Sequence, residues 1–283
     1  MAKAVTRARV PVAAVMVEAY RGVFGRLSLL LELAWLPLLL VLAAAILPGY
    51  LQLYRGVGAI PAWPGDAFGL TVDDLVEALV GLLCLSAFAV RWYQTLLFNH
   101  GRVPSGIFLG AWLRFLLYML LLYLVAAVLL SAMVLADIAG APGYAAPVAG
   151  AGMIAAWLAP VRCSLLFPAA ARGKPLSLAA AWRAMRGNTW RLFATVMLVS
   201  IPTVFAVAML ISSIAALLGL DSGSDAPPPL GFFILRGVIS SCADFIVVAL
   251  GASVAAGFYR RIDPDAPEQR GDQPWGDTAP GSE

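Results

Sequence analysis

Six long apolar runs constrain the fold of this chain more than any other feature. Their approximate bounds are 27–47, 71–98, 106–135, 147–167, 192–220 and 231–259. About 20 apolar residues in a helix are enough to cross roughly 30 Å of hydrocarbon. The pattern therefore predicts an all-α, polytopic integral membrane protein with six transmembrane helices.

The composition excludes an ordinary soluble domain. Of the 283 residues, 61% are hydrophobic and 12% are charged, whereas a soluble domain has about 25% charged residues and must cover its surface with polar groups. The three cysteines, Cys84, Cys163 and Cys242, lie inside apolar runs at unrelated spacings. This pattern favours reduced core thiols over a disulfide framework or a metal site.

The two ends of the chain differ from the 27–261 membrane domain. Residues 1–26 begin with a basic segment, and residues 11–26 place apolar side chains on one helical face, which predicts an amphipathic helix in the headgroup layer. Because Glu32 and Pro37 interrupt the first apolar run, we expect an uncleaved span and no signal peptide. Residues 262–283 are acidic and rich in Pro and Gly, a composition that predicts a disordered cytoplasmic tail.

The distribution of charge predicts the orientation. Basic residues are concentrated in the N-terminal segment, the 99–105 turn, the 168–191 connector and Arg260–Arg261. The other loops contain four aspartates and one basic residue, namely Asp66, Asp137, Asp221, Asp225 and Arg55. By the positive-inside rule, six spans with both termini in the cytoplasm place all the basic segments on one side.

The 168–191 connector is expected to lie in the membrane interface. Its basic side chains are Arg172, Lys174, Arg183, Arg186 and Arg191. Ser177 is a candidate N-cap for a short helix. In this helix we expect Leu178, Trp182 and Met185 to face lipid. Arg183 and Arg186 are expected to face water.

An internal similarity relates the first and fifth spans. At a constant sequence offset, Ala19, Arg21, Gly22, Arg26, Leu27 and Pro37 recur as Ala184, Arg186, Gly187, Arg191, Leu192 and Pro202. The pattern predicts three units, each an interfacial segment followed by a transmembrane hairpin, with the first and third units parallel. Alternatively, re-entry into a membrane simply favours Arg-Gly at an interface.

Charged residues within the apolar runs are the candidate site residues, because a charge in hydrocarbon requires a partner or a water-filled cavity. Arg91, Arg114, Arg162 and Glu32 all fall in the cytoplasmic third of the predicted spans. The arginines could form a pocket for phosphate oxygens. The alternative is that each long side chain reaches the interface separately.

Asp244 is the deepest acid, near the middle of the sixth predicted span. It could pair with Arg91 or act as a proton-titrating group, and structural pairing is favoured. No enzyme signature accompanies it. The single histidine, His100, lies in a short turn, and no metal-binding cluster, phosphate loop or Ser–His pair is recognisable. We expect no catalysis, no cofactor and no metal.

The end of the fourth run and the connector carry a family resemblance. The residues are Arg162-Cys163-Ser164-Leu165-Leu166-Phe167-Pro168-Ala169, Leu176-Ser177-Leu178, Ala181-Trp182, Arg186-Gly187-Asn188 and Trp190-Arg191. This pattern resembles the YciC-like family of bacterial inner-membrane proteins and the membrane domain of glycerophosphoryl diester phosphodiesterases. The resemblance implies a helical bundle in the bacterial inner membrane. The catalytic residues of the phosphodiesterases have no counterpart in this chain.

The functional prediction is a non-catalytic protein of the cytoplasmic membrane. Its expected partners are anionic lipids of the cytoplasmic leaflet, or a membrane protein whose assembly it supports, and we expect no nucleic acid. The alternative is a transporter for a lipid or a small anionic solute. In that case Asp244, Arg91 and Arg114 would line the pathway.

Overall fold

The computed structural model describes residues 10–55, 72–98, 106–138, 158–174, 176–218 and 230–262. Within these ranges the chain forms helices and turns, and no strand is present. The basic residues 1–9, the turn that contains His100, most of the fourth apolar run and the predicted disordered tail after residue 262 lie outside the described residues.

The described residues contain eight helices with defined bounds. They are α1 (Val12–Phe24), α2 (Leu27–Arg55), α3 (Val72–Leu97), α4 (Ile107–Ile138), α5 (Leu166–Ala171), α6 (Leu178–Ala184), α7 (Thr189–Leu217) and α8 (Leu230–Ile262). A further helical stretch, 158–163, precedes α5. The all-α prediction is confirmed.

Five of these helices are long and apolar enough to cross a membrane. The crossing segments are Leu27–Ile46, Leu75–Leu97, Ile107–Val125, Thr189–Leu217 and Ile234–Ile262. Their outer faces carry large apolar side chains that are more than half exposed, such as Leu31, Leu117 and Phe205. Because apolar surface in water is unfavourable by roughly 25 cal/mol per Å², this outer surface suits the hydrocarbon of a bilayer.

The fourth apolar run does not continue as one straight helix to residue 167, which corrects the prediction. The chain turns at Ser164 and Leu165, and α5 begins at Leu166. Pro168 explains the break, because a proline has no N–H to donate to the carbonyl four residues earlier, which is that of Ser164. That carbonyl instead accepts from the Phe167 N–H at 3.3 Å.

Helix α8 forms the centre of the bundle and packs against α1, α2, α3, α5 and α7. Its second half is buried from Ala252 to Tyr259 and is rich in Ala and Gly. Small residues allow helices to approach closely, and Gly257 shows this directly. A Cβ atom at Gly257 would lie 3.1 Å from the Val15 side chain of α1.

Helix α1 lies on the bundle rather than apart from it. The predicted apolar face is buried at Val15, Ala19 and Val23, where it packs against α7 and α8. Phe24, an apolar residue within the predicted 11–26 helix, is 47% exposed. The buried side of α1 therefore contacts protein, and its position in the headgroup layer remains a prediction.

Two glycines shape the connector between α5 and α7. Gly173 follows the end of α5 with φ +74°, and Gly187 follows the end of α6 with φ +91°. Both positions need the left-handed conformation that glycine adopts without strain. The predicted cap of α6 is confirmed, because the Ser177 hydroxyl accepts a hydrogen bond from the Ala180 N–H at 3.2 Å.

One predicted orientation in the connector is wrong. Leu178 and Trp182 are exposed as expected, but Met185 is fully buried. Met185 is the C-cap of α6, where the chain turns toward α7, so its side chain packs into the core of the bundle. Arg183 and Arg186 are exposed.

Candidate functional site

Two arginines of the predicted layer are each supported by a different aromatic ring. The Arg91 guanidinium lies over the Phe108 ring, 4.1 Å from its centroid, and the Arg162 guanidinium lies 4.5 Å from the centroid of the Trp182 ring. Arg91, Arg114 and Glu32 are exposed. Within the described residues, these four side chains do not share an enclosed pocket.

The aromatic contacts determine what the arginines can bind. A guanidinium that stacks on a ring is attracted by the ring face, while its N–H donors remain in the plane of the group and can still reach phosphate oxygens. Arg162 and Trp182 bring together the end of the fourth apolar run and α6. The pair therefore places an aromatic ring and a guanidinium side by side.

The connector cations divide into structural and exposed groups. Arg191 donates to the Val10 carbonyl at 3.0 Å, and the Arg172 guanidinium lies 5.9 Å from the centroid of the Tyr259 ring. Lys174, Arg183 and Arg186 are exposed. These three are the connector side chains best placed to meet a ligand.

Sequence reasoning missed the ion pair of Glu18 with the end of α8. Glu18 accepts from Arg260 through Oε1, and its Oε2 lies 2.9 Å from Arg261 Nη2. Glu18 is more than 240 residues from either arginine. The sequence therefore showed the three charges but not the contact between them. Nearby, between α1 and α2, partial burial lowers the pKa of Arg26 below the ordinary range of an arginine.

Polar contacts inside the bundle fix α3, the helix that carries Arg91. The Trp92 indole N–H donates to Ser253 Oγ of α8 at 3.1 Å. The Trp112 indole of α4 donates to Ser86 Oγ at 2.9 Å. Because a hydrogen bond between two helices fixes their register, these contacts set the rotation of α3 and leave Arg91 on an exposed face.

A cavity of about 850 Å³ lies between α3, α4 and α8. Its described lining is mostly apolar but includes the carboxylates of Asp244 and Glu77. The lining includes none of Arg91, Arg114 and Arg162. The structure therefore does not bring Arg91 and Asp244 together, and the described part of the chain gives Asp244 no ion-pair partner.

The fold and these contacts define an all-helical protein of the multi-pass membrane type, with five described helices able to cross a bilayer. At one end of the bundle, Arg191 near the start of α7 bonds Val10 just before α1. At the same end, Arg260 and Arg261 near the end of α8 bond Glu18 of α1. Comparison with protein-family models, with curated proteins and with solved structures gives no match. The functional argument therefore depends on the residues themselves.

Proposed function

We propose that this chain is a non-catalytic, multi-pass protein of the cytoplasmic membrane that binds anionic lipid headgroups. The binding region, called here the basic surface, consists of Arg162, Lys174, Trp182, Arg183 and Arg186. The observation that carries the proposal is exposed Trp182 and Arg183 on one short helix, with exposed Lys174 before it and Arg186 after it. Arg162 supports this arrangement by stacking on the Trp182 ring.

This combination suits a lipid better than a soluble anion. Leu178, Trp182 and Trp190 are 40–65% exposed beside the exposed arginines, and aromatic side chains are favoured at the level of lipid headgroups. Each Lys or Arg near an anionic leaflet contributes about 1 kcal/mol of attraction. The three exposed connector cations together would give a clear preference for anionic lipid.

The path of the chain supports six crossings with both termini on one side. Helix α4 begins at the basic end of the bundle, because a Cβ atom at Gly173 would lie only 3.4 Å from the Ile107 side chain. From there the 32 residues of α4 extend about 48 Å. Helix α5 also lies at the basic end of the bundle, because the Ala171 carbonyl accepts a hydrogen bond from the Gln94 side chain near the end of α3. Ile138 and Leu166 therefore lie toward opposite ends of the bundle, which fits three consecutive hairpins.

A cytoplasmic location of the basic end follows from the positive-inside rule. The resemblance of the connector to bacterial inner-membrane families supports the same location. In this orientation, the basic surface meets the negatively charged cytoplasmic leaflet.

The transporter alternative receives less support. It requires a polar pathway from Asp244 to the arginines, but the described lining of the cavity is mostly apolar and lacks Arg91 and Arg114. Arg91 is instead exposed and stacked on Phe108. Lipid binding at the periphery accounts for these positions without a pathway.

Native mass spectrometry tests the proposal. The detergent-released protein is titrated with phosphatidylglycerol or with phosphatidylcholine of the same acyl chains, beside a variant that carries Lys174→Gln, Arg183→Gln and Arg186→Gln. We expect the variant to bind phosphatidylglycerol about tenfold or more weakly. Its phosphatidylcholine binding should not change, because that headgroup has no net charge.

Arg236→Gln is the matched control. Arg236 is exposed near the start of α8, at the other end from Arg260, so its loss should leave phosphatidylglycerol binding unchanged. The proposal fails if the wild-type protein binds the two lipids equally, or if the triple variant retains the wild-type preference.

A further inference from the structure

The cavity between α3, α4 and α8 forms a groove that is open along one side. Its volume of about 850 Å³ lies within the range of small-molecule sites in proteins. Leu75, Leu79 and Leu120 line it and are each more than half exposed. Because these side chains belong to the apolar outer surface, the open side faces the hydrocarbon of the bilayer.

The two carboxylates of the groove lie at different levels. Contacts between α3 and α8 join Phe88 to Phe245 with ring centroids 5.0 Å apart and Trp92 to Ser253 at 3.1 Å. At 1.5 Å per residue, these contacts place Glu77 roughly 10–15 Å from the level of Asp244. Glu77 is therefore near the start of α3, and Asp244 is deeper in the groove.

Aromatic rings close the inner end of the groove. The Phe115 ring lies 6.1 Å from the Tyr93 ring and 4.7 Å from the Phe167 ring, measured between centroids. All three side chains line the cavity. Ring faces attract cations, and they do so most strongly where water is excluded.

The charge of the groove selects the kind of ligand. A carboxylate within a span is unfavourable unless a positive charge or a proton compensates it. Asp244 lines the groove and is accessible, and the described residues give it no ion-pair partner. Apolar walls, aromatic rings and a deep carboxylate together complement a cation on an apolar body.

We propose that this groove binds a hydrophobic organic cation, such as a quaternary ammonium or phosphonium on an apolar body, which enters from the bilayer. The positive charge lies near Asp244, and the apolar body lies along the walls formed by α3 and α4. Glu77 adds attraction at the outer end of the groove. The site is separate from the basic surface and does not depend on it.

Equilibrium binding of tritiated tetraphenylphosphonium tests the proposal. The full chain is reconstituted in nanodiscs of phosphatidylcholine, and uptake by empty nanodiscs is subtracted. We expect one saturable site per chain. Asp244→Asn keeps the size of the side chain and removes its charge, and it should weaken binding about tenfold or more. Glu77→Gln should weaken binding by a smaller factor.

Two further variants distinguish the site from general effects of charge and folding. Glu32→Gln removes an exposed carboxylate of α2 that is not among the described lining residues, and it should bind as the wild type does. Gly81→Leu adds a side chain where a Cβ meets no atom within 4 Å. It should fill the groove and abolish saturable binding while Asp244 remains.

Three results would overturn the proposal. One is wild-type uptake that does not exceed that of empty nanodiscs. Another is equal affinity of the wild type and Asp244→Asn. The third is saturable binding by Gly81→Leu with wild-type affinity, since the ligand would then lie outside the groove that Gly81 lines.

Discussion

Single polar side chains determine how the N-terminal segment is held on the bundle. Glu18 joins α1 to Arg260 and Arg261 at the end of α8. The Tyr20 hydroxyl donates to the Val199 carbonyl at 3.2 Å, within a turn of Pro202, the proline inside α7. Because a proline weakens the backbone bonding of the turn before it, this side chain satisfies a carbonyl near the disturbed turn.

Glu18→Gln should loosen α1. The variant keeps the size of the side chain but leaves two neighbouring arginines without the charge that neutralises them. Hydrogen bonds to charged groups contribute about 1.5–3 kcal/mol, and the Glu18 side chain is only 21% exposed. We expect the free energy of unfolding to fall by about 1–3 kcal/mol, and hydrogen–deuterium exchange of residues 12–24 to become faster.

The control for this prediction is Arg21→Gln. Arg21 is exposed on the same helix, and a surface substitution changes stability by only about 0.5 kcal/mol or less. If both variants accelerate exchange of α1 to the same extent, the ion pair with α8 does not hold the helix.

Whether a contact between two side chains can be predicted from the sequence depends on how many residues separate them. Ser177 could be identified as a cap, because it bonds an N–H only three residues away. Glu18 and Arg260 could not be paired, because they are 242 residues apart and only packing of α1 on α8 brings them together. For the same reason, the sequence showed the charge of Asp244 but not its position in a groove.

Helix packing depends on a few close approaches between elements. Helix α8 meets five other helices, and its small residues allow these contacts. One such approach is at Gly257, where a side chain would meet Val15 of α1 at 3.1 Å. The position of α1 therefore depends on the absence of a side chain at this residue.

Gly257→Leu should displace α1 from the bundle. The added side chain would overlap Val15, and overpacking of this kind typically costs about 1–3 kcal/mol. We expect faster hydrogen–deuterium exchange across residues 12–24. Glu18 would still be present in this variant, but it would be separated from Arg260 and Arg261.

Gly251→Leu is the matched control for the Gly257 variant. It lies on the same helix, and a Cβ there meets no atom within 4 Å. Exchange of α1 should stay at the wild-type rate. If exchange of α1 is equally fast in both variants, any added side chain on α8 displaces α1, and the contact of Gly257 with Val15 has no special role.

Element boundaries were only partly predictable. The proline that ends the fourth run was visible, yet the run was extended to residue 167 because its apolar character continues through the break. The helical spacing of Leu178, Trp182 and Met185 predicts that Met185 faces lipid. The α6 helix ends at Ala184, so that spacing no longer describes the direction of the Met185 side chain.

The whole molecule combines an apolar outer surface with a basic end. Composition and the length of the apolar runs were sufficient to predict an all-helical membrane protein, because both reflect the solvent that surrounds the helices. Five described helices can cross a membrane, and the sixth crossing and the orientation remain predictions. The groove could not be predicted, because it depends on which faces of α3, α4 and α8 meet.

Labelling with a membrane-impermeant maleimide tests the cytoplasmic position of the basic end most directly. Cys84, Cys163 and Cys242 are first replaced by alanine, and one cysteine is then introduced as Lys174→Cys or Arg236→Cys, both at exposed positions. We predict that Lys174→Cys is labelled only in inside-out membrane vesicles and Arg236→Cys only in right-side-out vesicles. Labelling of Lys174→Cys in right-side-out vesicles, or of both positions from the same side, would contradict the proposed orientation and the contact of the basic surface with the anionic leaflet.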